Sequence, residues 1–340
     1  MKRSFKGILF KVLKITGITV AAILLLMFLL PMLFPDFVAS KIKAWANSVI
    51  TTELNFSKAR LSFFNHFPSL TLTLYDVTLK GSAPFEKDTL IAANEIALGV
   101  DLASVFSERI SIDEIYLTNG NVKIKVDKNG NPVYNVYRTD TTHKTNSTDS
   151  NNAQLKIEHI QIDHSDLVYD DRSVAILTTA KELNYVGKGD LSKSIFDLYS
   201  KAEIDSFDLD YNGMHYIGSK QLQADLITKI NTNSLAFSFE KNDLHINKLP
   251  VQFKGVFEFL SNGYNMDFRL FSHNTNLHDV FTALPPEYLS WLEKTKVDGD
   301  ANMDAYLTGK YIEEQNIMPD LGFTMKIRHG YIAYENAPSP

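Results

Sequence analysis

The chain contains no cysteine. That absence removes disulfide cross-links, thiolate nucleophiles and zinc–thiolate centres together. It also removes the acylated cysteine that would follow the apolar segment of a lipoprotein. The short motifs of common catalytic sites are missing too: there is no G-x-S-x-G elbow, glycine-rich phosphate loop or H-E-x-x-H helix. Positive charge is scarce beyond the N-terminus. Without Lys2, Arg3, Lys6, Lys11 and Lys14, 29 Lys and Arg face 40 Asp and Glu, a net charge of about −11. Such a surface repels phosphate backbones and excludes nucleic acid as a partner. The carboxylates are scattered among strand positions, so the expectation is a non-enzymatic protein with no cofactor.

What is present begins with a membrane signal. Residues 1–14 form a basic segment without an acidic residue, and Ile15 to Phe34 follow with no charge at all. A helix of about twenty residues rises roughly 30 Å, the thickness of a bilayer core. A cleaved signal peptide has an apolar region of only about 7–15 residues. The segment therefore reads as an uncleaved signal anchor with ends at Ile15 and Phe34, the basic flank in the cytoplasm and the bulk across the membrane. After Pro35 and Asp36, the stripe Val38, Ile42, Trp45 and Val49 has helical spacing and suits either the adjoining sheet or the membrane surface.

From Leu54 the period changes to two. Leu70-Thr71-Leu72-Thr73-Leu74, Ile96 to Val100, Val122-Lys123-Ile124-Lys125-Val126 and Ala236 to Phe239 alternate as strands do. Asn129-Gly130, Asn212-Gly213 and Asn262-Gly263 carry the hairpin signal, because both residues tolerate positive φ. The sheet is expected to be mostly antiparallel. Residues 139–153 hold almost nothing large and apolar and read as a polar linker or loop between β-rich stretches at 35–138 and 154–340. Asn276 to Lys294 looks helical but is broken at Pro285-Pro286, which predicts two short helices over a sheet end.

An internal repeat aligns Ile115–Ile124 with Ile160–Tyr169 and Met325–Tyr334. Each copy has two alternating apolar positions, a polar residue, Gly or Ser, then two more apolar positions: strand, tight turn or bulge, strand. The third copy stops close behind its second strand, which suggests that the chain continues in a longer protein. Asp208-Leu209-Asp210-Tyr211-Asn212-Gly213 opens like a calcium loop. Its twelfth position is Ser219, where a bidentate Glu is needed, so a hairpin is the better reading. His159 and His164, like His273 and His278, are five apart and fall on opposite faces of a strand, so no metal site is expected.

In its order of elements the chain resembles the AsmA family of Gram-negative envelope proteins, in particular its Bacteroidetes-type members, which are related to TamB-like lipid-transfer proteins. The anchor leads into Pro68-Ser69-Leu70 to Leu74 with Asp76-Val77, then Leu90 to Leu98 and Asp101-Leu102. The family's D-x-x-G hairpin stands at Asp127-Lys128-Asn129-Gly130, followed by Asn135-Val136 without the usual Trp. Leu284 to Tyr288, Gly309-Lys310-Tyr311 and Pro319 match the middle region. The resemblance implies a mostly β fold: a repeating antiparallel sheet curled into a groove behind the anchor, with short helices at its ends. It further implies an inner-membrane protein of outer-membrane biogenesis whose groove passes phospholipid, with other envelope proteins as possible partners. Leu70, Leu72, Leu74, Val122, Ile124 and Val126 would line that groove. Alternation alone fits a closed core equally well, and a scaffold that offers sheet edges to outer-membrane proteins is the other functional reading.

Overall fold

A computed structural model describes residues 10–19, 22, 50–62, 70–100, 111–136, 154–234, 236–260, 262–285, 289–312 and 315–335. Residues 10–19 are helical and exposed, Ile15 among them. The rest of the expected span, including Phe34, lies outside the described residues except for Ala22, as do the 38–49 stripe and residues 139–153. Among the described residues no helix is long and apolar enough to cross a membrane.

The rest is one sheet of fourteen strands. β1 (Leu54–Asn55) and β2 (Lys58–Ser62) both pair with β3 (Leu70–Lys80). From there each strand neighbours the next: β4 (Thr89–Val100), β5 (Ser111–Val126), β6 (Gln154–Asp171), β7 (Ile176–Lys188), β8 (Ile195–Tyr211) and β9 (Met214–Asn231). The series continues through β10 (Ala236–Ile246), β11 (Leu249–Leu260), β12 (Gly263–Asn276), β13 (Thr295–Tyr311) and β14 (Asp320–Tyr334).

The sheet is not antiparallel throughout, because β5 and β6 pair in parallel. The cause is the fate of the chain after Asn129-Gly130. A hairpin would lay its return leg along β5, yet only the bridge Val126–Pro132 forms. The leg instead packs on the β3–β4 loop, where the Ser82 amide donates to the Val133 carbonyl (2.8 Å) and the Asn135 amide to Ser82 Oγ (3.1 Å). The chain returns at Gln154 beside Ser111, running the same way as β5. The stretches on either side of residues 139–153 are thus hydrogen-bonded neighbours. The Asp127 carboxylate that opens the D-x-x-G motif caps the turn, accepting from the Asn129 and Asn131 amides (both 2.8 Å). Asn212-Gly213 does join β8 to β9, with φ of 51° and 77° as the tight hairpin turn requires.

The repeat proves to be a bulged strand rather than a hairpin. Each copy lies within one strand, and its fifth residue has positive φ: Asn119 at 50°, His164 at 45° and His329 at 52°. The first two copies pair residue for residue in their parallel register, Ile115 with Ile160 through Ile124 with Tyr169. In the first and third copies the next residue is glycine, and the side chain three back folds over it. A Cβ on Gly120 would meet Leu117 Cδ2 at 2.8 Å, and one on Gly330 would meet Ile327 Cγ2 at 2.7 Å. Asp76, Glu182, Ser219 and Asn274 repeat the positive φ in other strands. On the outer face Asp76, Asn119, His164 and Glu182 line one depression of about 520 Å³, so these bulges lie in a row.

Helices α1 (Leu277–Thr282) and α2 (Leu289–Leu292) connect β12 to β13, on either side of the proline pair. Asn276 caps α1, its side chain accepting from the His278 amide at 2.8 Å. Leu277 and Val280 bury against Leu249, Val251, Val297 and Ala301. Backbone approach is tightest at Gly255, where φ is +151° and a Cβ would stand 1.9 Å from the Asp267 carbonyl oxygen. Gly255→Ala is expected to cost about 3 kcal/mol or more in thermal unfolding. Gly130→Ala, with positive φ but open space, should cost only about 1–2 kcal/mol. Equal losses would contradict the assigned close approach.

Candidate functional site

Register aligns the apolar positions of successive strands into rungs. One rung runs Leu74, Ile96, Leu117, Ile162, Tyr185, Ala202, Ala224, Leu244 and Val251, across nine strands including the parallel junction. Beyond the bulges the ladder resumes as Ile91, Val122, Leu167, Ala180 and Phe207. The opposite face carries rungs such as Asn184, Glu203, Gln223 and His245. One face of the sheet is therefore apolar and the other polar.

A bulge interrupts the hydrogen-bond ladder, so its free amide needs another acceptor. Side chains of neighbouring strands supply one. The His164 amide donates to Asn184 Oδ1 (3.0 Å), Glu182 to Asp166 (3.1 Å), Ser219 to Asp208 (2.9 Å) and Asn274 to Asn302 (2.7 Å). Asp208 is thus a bulge cap, while Asp210 pairs with His215 Nδ1 at 2.6 Å. Among the described residues no three His, Asp or Glu converge as metal ligands.

The apolar face is covered unevenly. At β3 both faces are buried: Leu70, Leu72 and Leu74 are 7, 9 and 5% exposed, and Thr71 and Thr73 are buried with them. Leu72 and Leu74 pack with Phe56, Ala59 and Val77. Val126 is buried, whereas Val122 and Ile124 are half-buried. In β8 every inward residue from Phe196 to Ile204 is half-buried and every outward neighbour is exposed. By β14 the inward residues Leu321 and Phe323 are 75 and 64% exposed. α1 and α2 lie over this face, packing on β11–β13 and reaching Lys220 on β9 through the Thr282 carbonyl.

Sequence reading missed the half-open positions that form the longest exposed run, among them Ile162, Leu198, Leu226, Phe257 and Phe268. Their signal was present as alternation, but a bulge reverses the parity partway along a strand. It also missed Lys220, which pairs across from Phe207 on the apolar face and is 1% exposed. The Lys220 ammonium donates to the Thr282 carbonyl at 2.7 Å, as does Asn247 Nδ2 at 3.0 Å, and burial holds its pKa below the usual lysine value. Tyr169, inward on β6, is pushed up to about 12, first by burial, then by its hydrogen bond to Asp171 and that residue's charge, with smaller effects of Tyr134 and Tyr264.

Two predictions follow from this burial map. Leu72→Asp places a charge in a packed cluster and should unfold the protein, whereas Ile124→Asp should remain folded, as read by circular dichroism. Because folding depresses the Lys220 pKa, the unfolded chain holds a proton that the folded one sheds, and stability rises with pH up to the unfolded value. Lys220→Met should therefore raise the melting temperature at pH 7, and that advantage should shrink as pH approaches 10.5. An advantage that grows with pH would contradict the buried ammonium.

A comparison with curated proteins finds no match. The sequence profile of the AsmA family matches residues 10–322, from the helical N-terminal segment through β13 and into β14. With most of its length covered, this chain belongs to the AsmA family.

Proposed function

We propose that the chain is a single-pass inner-membrane protein of a Gram-negative envelope, anchored by Ile15–Phe34 with its sheet in the periplasm. In this reading the sheet curls into a groove that binds phospholipid and passes it along, contributing to outer-membrane biogenesis without chemistry of its own. The observation that carries the reading is the apolar ladder, continuous in register over most of the strands and left half-exposed over long stretches, in β8 without a break from Phe196 to Ile204. A core would be covered by a second layer. An acyl chain laid on such a face gains about 0.8 kcal/mol per buried CH₂.

Family membership supports the envelope setting. The scaffold alternative draws support from β14, an edge strand of 15 residues exposed almost throughout.

The full chain purified in detergent should carry phospholipid that survives exhaustive detergent exchange, and Leu226→Asp should lose it. Leu226 is half-buried, so the variant keeps its fold. Equal phospholipid in both would leave only lipid bound around the anchor and would sink the groove. A periplasm-only reporter fused behind residue 335 should be active, and activity of a cytoplasm-only reporter there would reverse the orientation.

A further inference from the structure

The apolar face changes character along the sheet. From β7 to β9 it is built partly of small residues, with Ala180, Ala202, Ser200 and Gly187 at inward positions. On β10, β11 and β12 it carries a cluster of rings, joined by Tyr311 at the end of β13. Phe239 lies 5.0 Å from Phe253 and 5.9 Å from Phe268, centroid to centroid. Phe257 stacks on Phe268 (6.3 Å, 20°) and on Tyr264 (5.5 Å, 27°), and Tyr264 stacks on Tyr311 (6.3 Å, 20°). Four adjacent strands thus share one connected aromatic surface whose rings are half-buried.

The centre of this surface is Gly255, which pairs with Phe239 on one side and Phe268 on the other. Their strands are two apart, about 9.6 Å, so rings at 5.9 Å lean toward each other across the glycine. The result is a flat floor in place of a side-chain ridge. The hydroxyl-bearing rings sit at strand ends: Tyr264 is the second residue of β12 and Tyr311 the last of β13. Phe239, Phe253 and Phe268 sit further in. At the same strand ends the polar face carries the rung Glu258, Asn265 and Lys310, with Asn265 Nδ2 donating to Glu258 Oε2 at 2.8 Å, so the rim there is charged and polar.

We infer that this patch is the station at which a diacyl phospholipid is held in the groove, with its acyl chains across the phenylalanine rings and its glycerol–phosphate end at Tyr264 and Tyr311. The inference rests on the groove reading and adds to it a place and an orientation. Large rings offer more contact area per residue than the alanines before them, so a lipid moving along the face dwells longest here. Tyrosine favours the boundary between apolar and wet surroundings, which fixes the polar end at the strand ends. The buried faces of β3 give a lipid no comparable floor.

The test uses the full chain in its native membrane and two phosphatidylethanolamine analogues, one with a diazirine at the acyl terminus and one with it in the headgroup. After illumination the adducts are mapped by peptide mass spectrometry. The acyl probe should concentrate on peptides holding Phe253 and Phe268, and the headgroup probe on those holding Tyr264 and Tyr311. Phe257→Leu with Phe268→Leu, which keeps the face apolar, should lower the acyl adducts there several-fold relative to β8. Adducts spread evenly from β6 to β13, with no effect of the double variant, would overturn the station and leave the groove standing. A headgroup probe captured at Phe253 would overturn the orientation. An absence of sheet adducts from either probe would overturn the station together with the groove.

Discussion

A sheet of one layer keeps a single apolar face only where neighbouring strands hold their register, and from β3 to β9 the alternation changes parity at about one level in strand after strand. In β5 the inward positions change from Ile115 and Leu117 to Val122 and Ile124, and in β6 from Ile160 and Ile162 to Leu167 and Tyr169. β3 and β8 make the same change, at Asp76 and between Ile204 and Phe207. The row of bulges, in which the His164, Glu182 and Ser219 amides are capped by side chains of neighbouring strands, keeps the ladder intact.

The same constraint explains how much was legible in the sequence. Alternation located Leu70–Leu74 and Val122–Val126, Asn-Gly located the β8–β9 turn, and the broken helical stretch located α1 and α2. The repeat was visible because its three bulges each place a polar residue before Gly or Ser, whereas the bulges at Asp76, Glu182 and Ser219 are followed by Val77, Leu183 and Lys220 and leave no such mark. What could not be read was long-range. The parallel pairing of β5 and β6 depends on a turn whose return leg packs on Ser82, far away in sequence. The burial of Lys220 depends on α1 closing over it from 62 residues along the chain. The placement of Leu72 in a packed cluster, against the half-open Ile124, depends on Phe56 and Ala59.

The two ends of the sheet have different roles in this account. At β3 the apolar face is filled by the protein's own side chains, which gives the sheet a stable beginning. Toward β14 the face opens. Open apolar surface is a liability unless something covers it, and in the proposed function a mobile amphiphile covers a long face without fixing its shape. Polar residues on the other face keep the same strands soluble.

The central claim is that lipid lies on one face of single strands, and β8 states it most sharply, because inward and outward residues alternate there without interruption from Phe196 to Ile204. The direct measurement places a photo-crosslinking residue at each position of that stretch in turn and scores phospholipid adducts in intact cells. The account predicts adducts at positions 196, 198, 200, 202 and 204 and none at 197, 199, 201 and 203. Adducts without that period of two, or adducts on the outward positions, would contradict it.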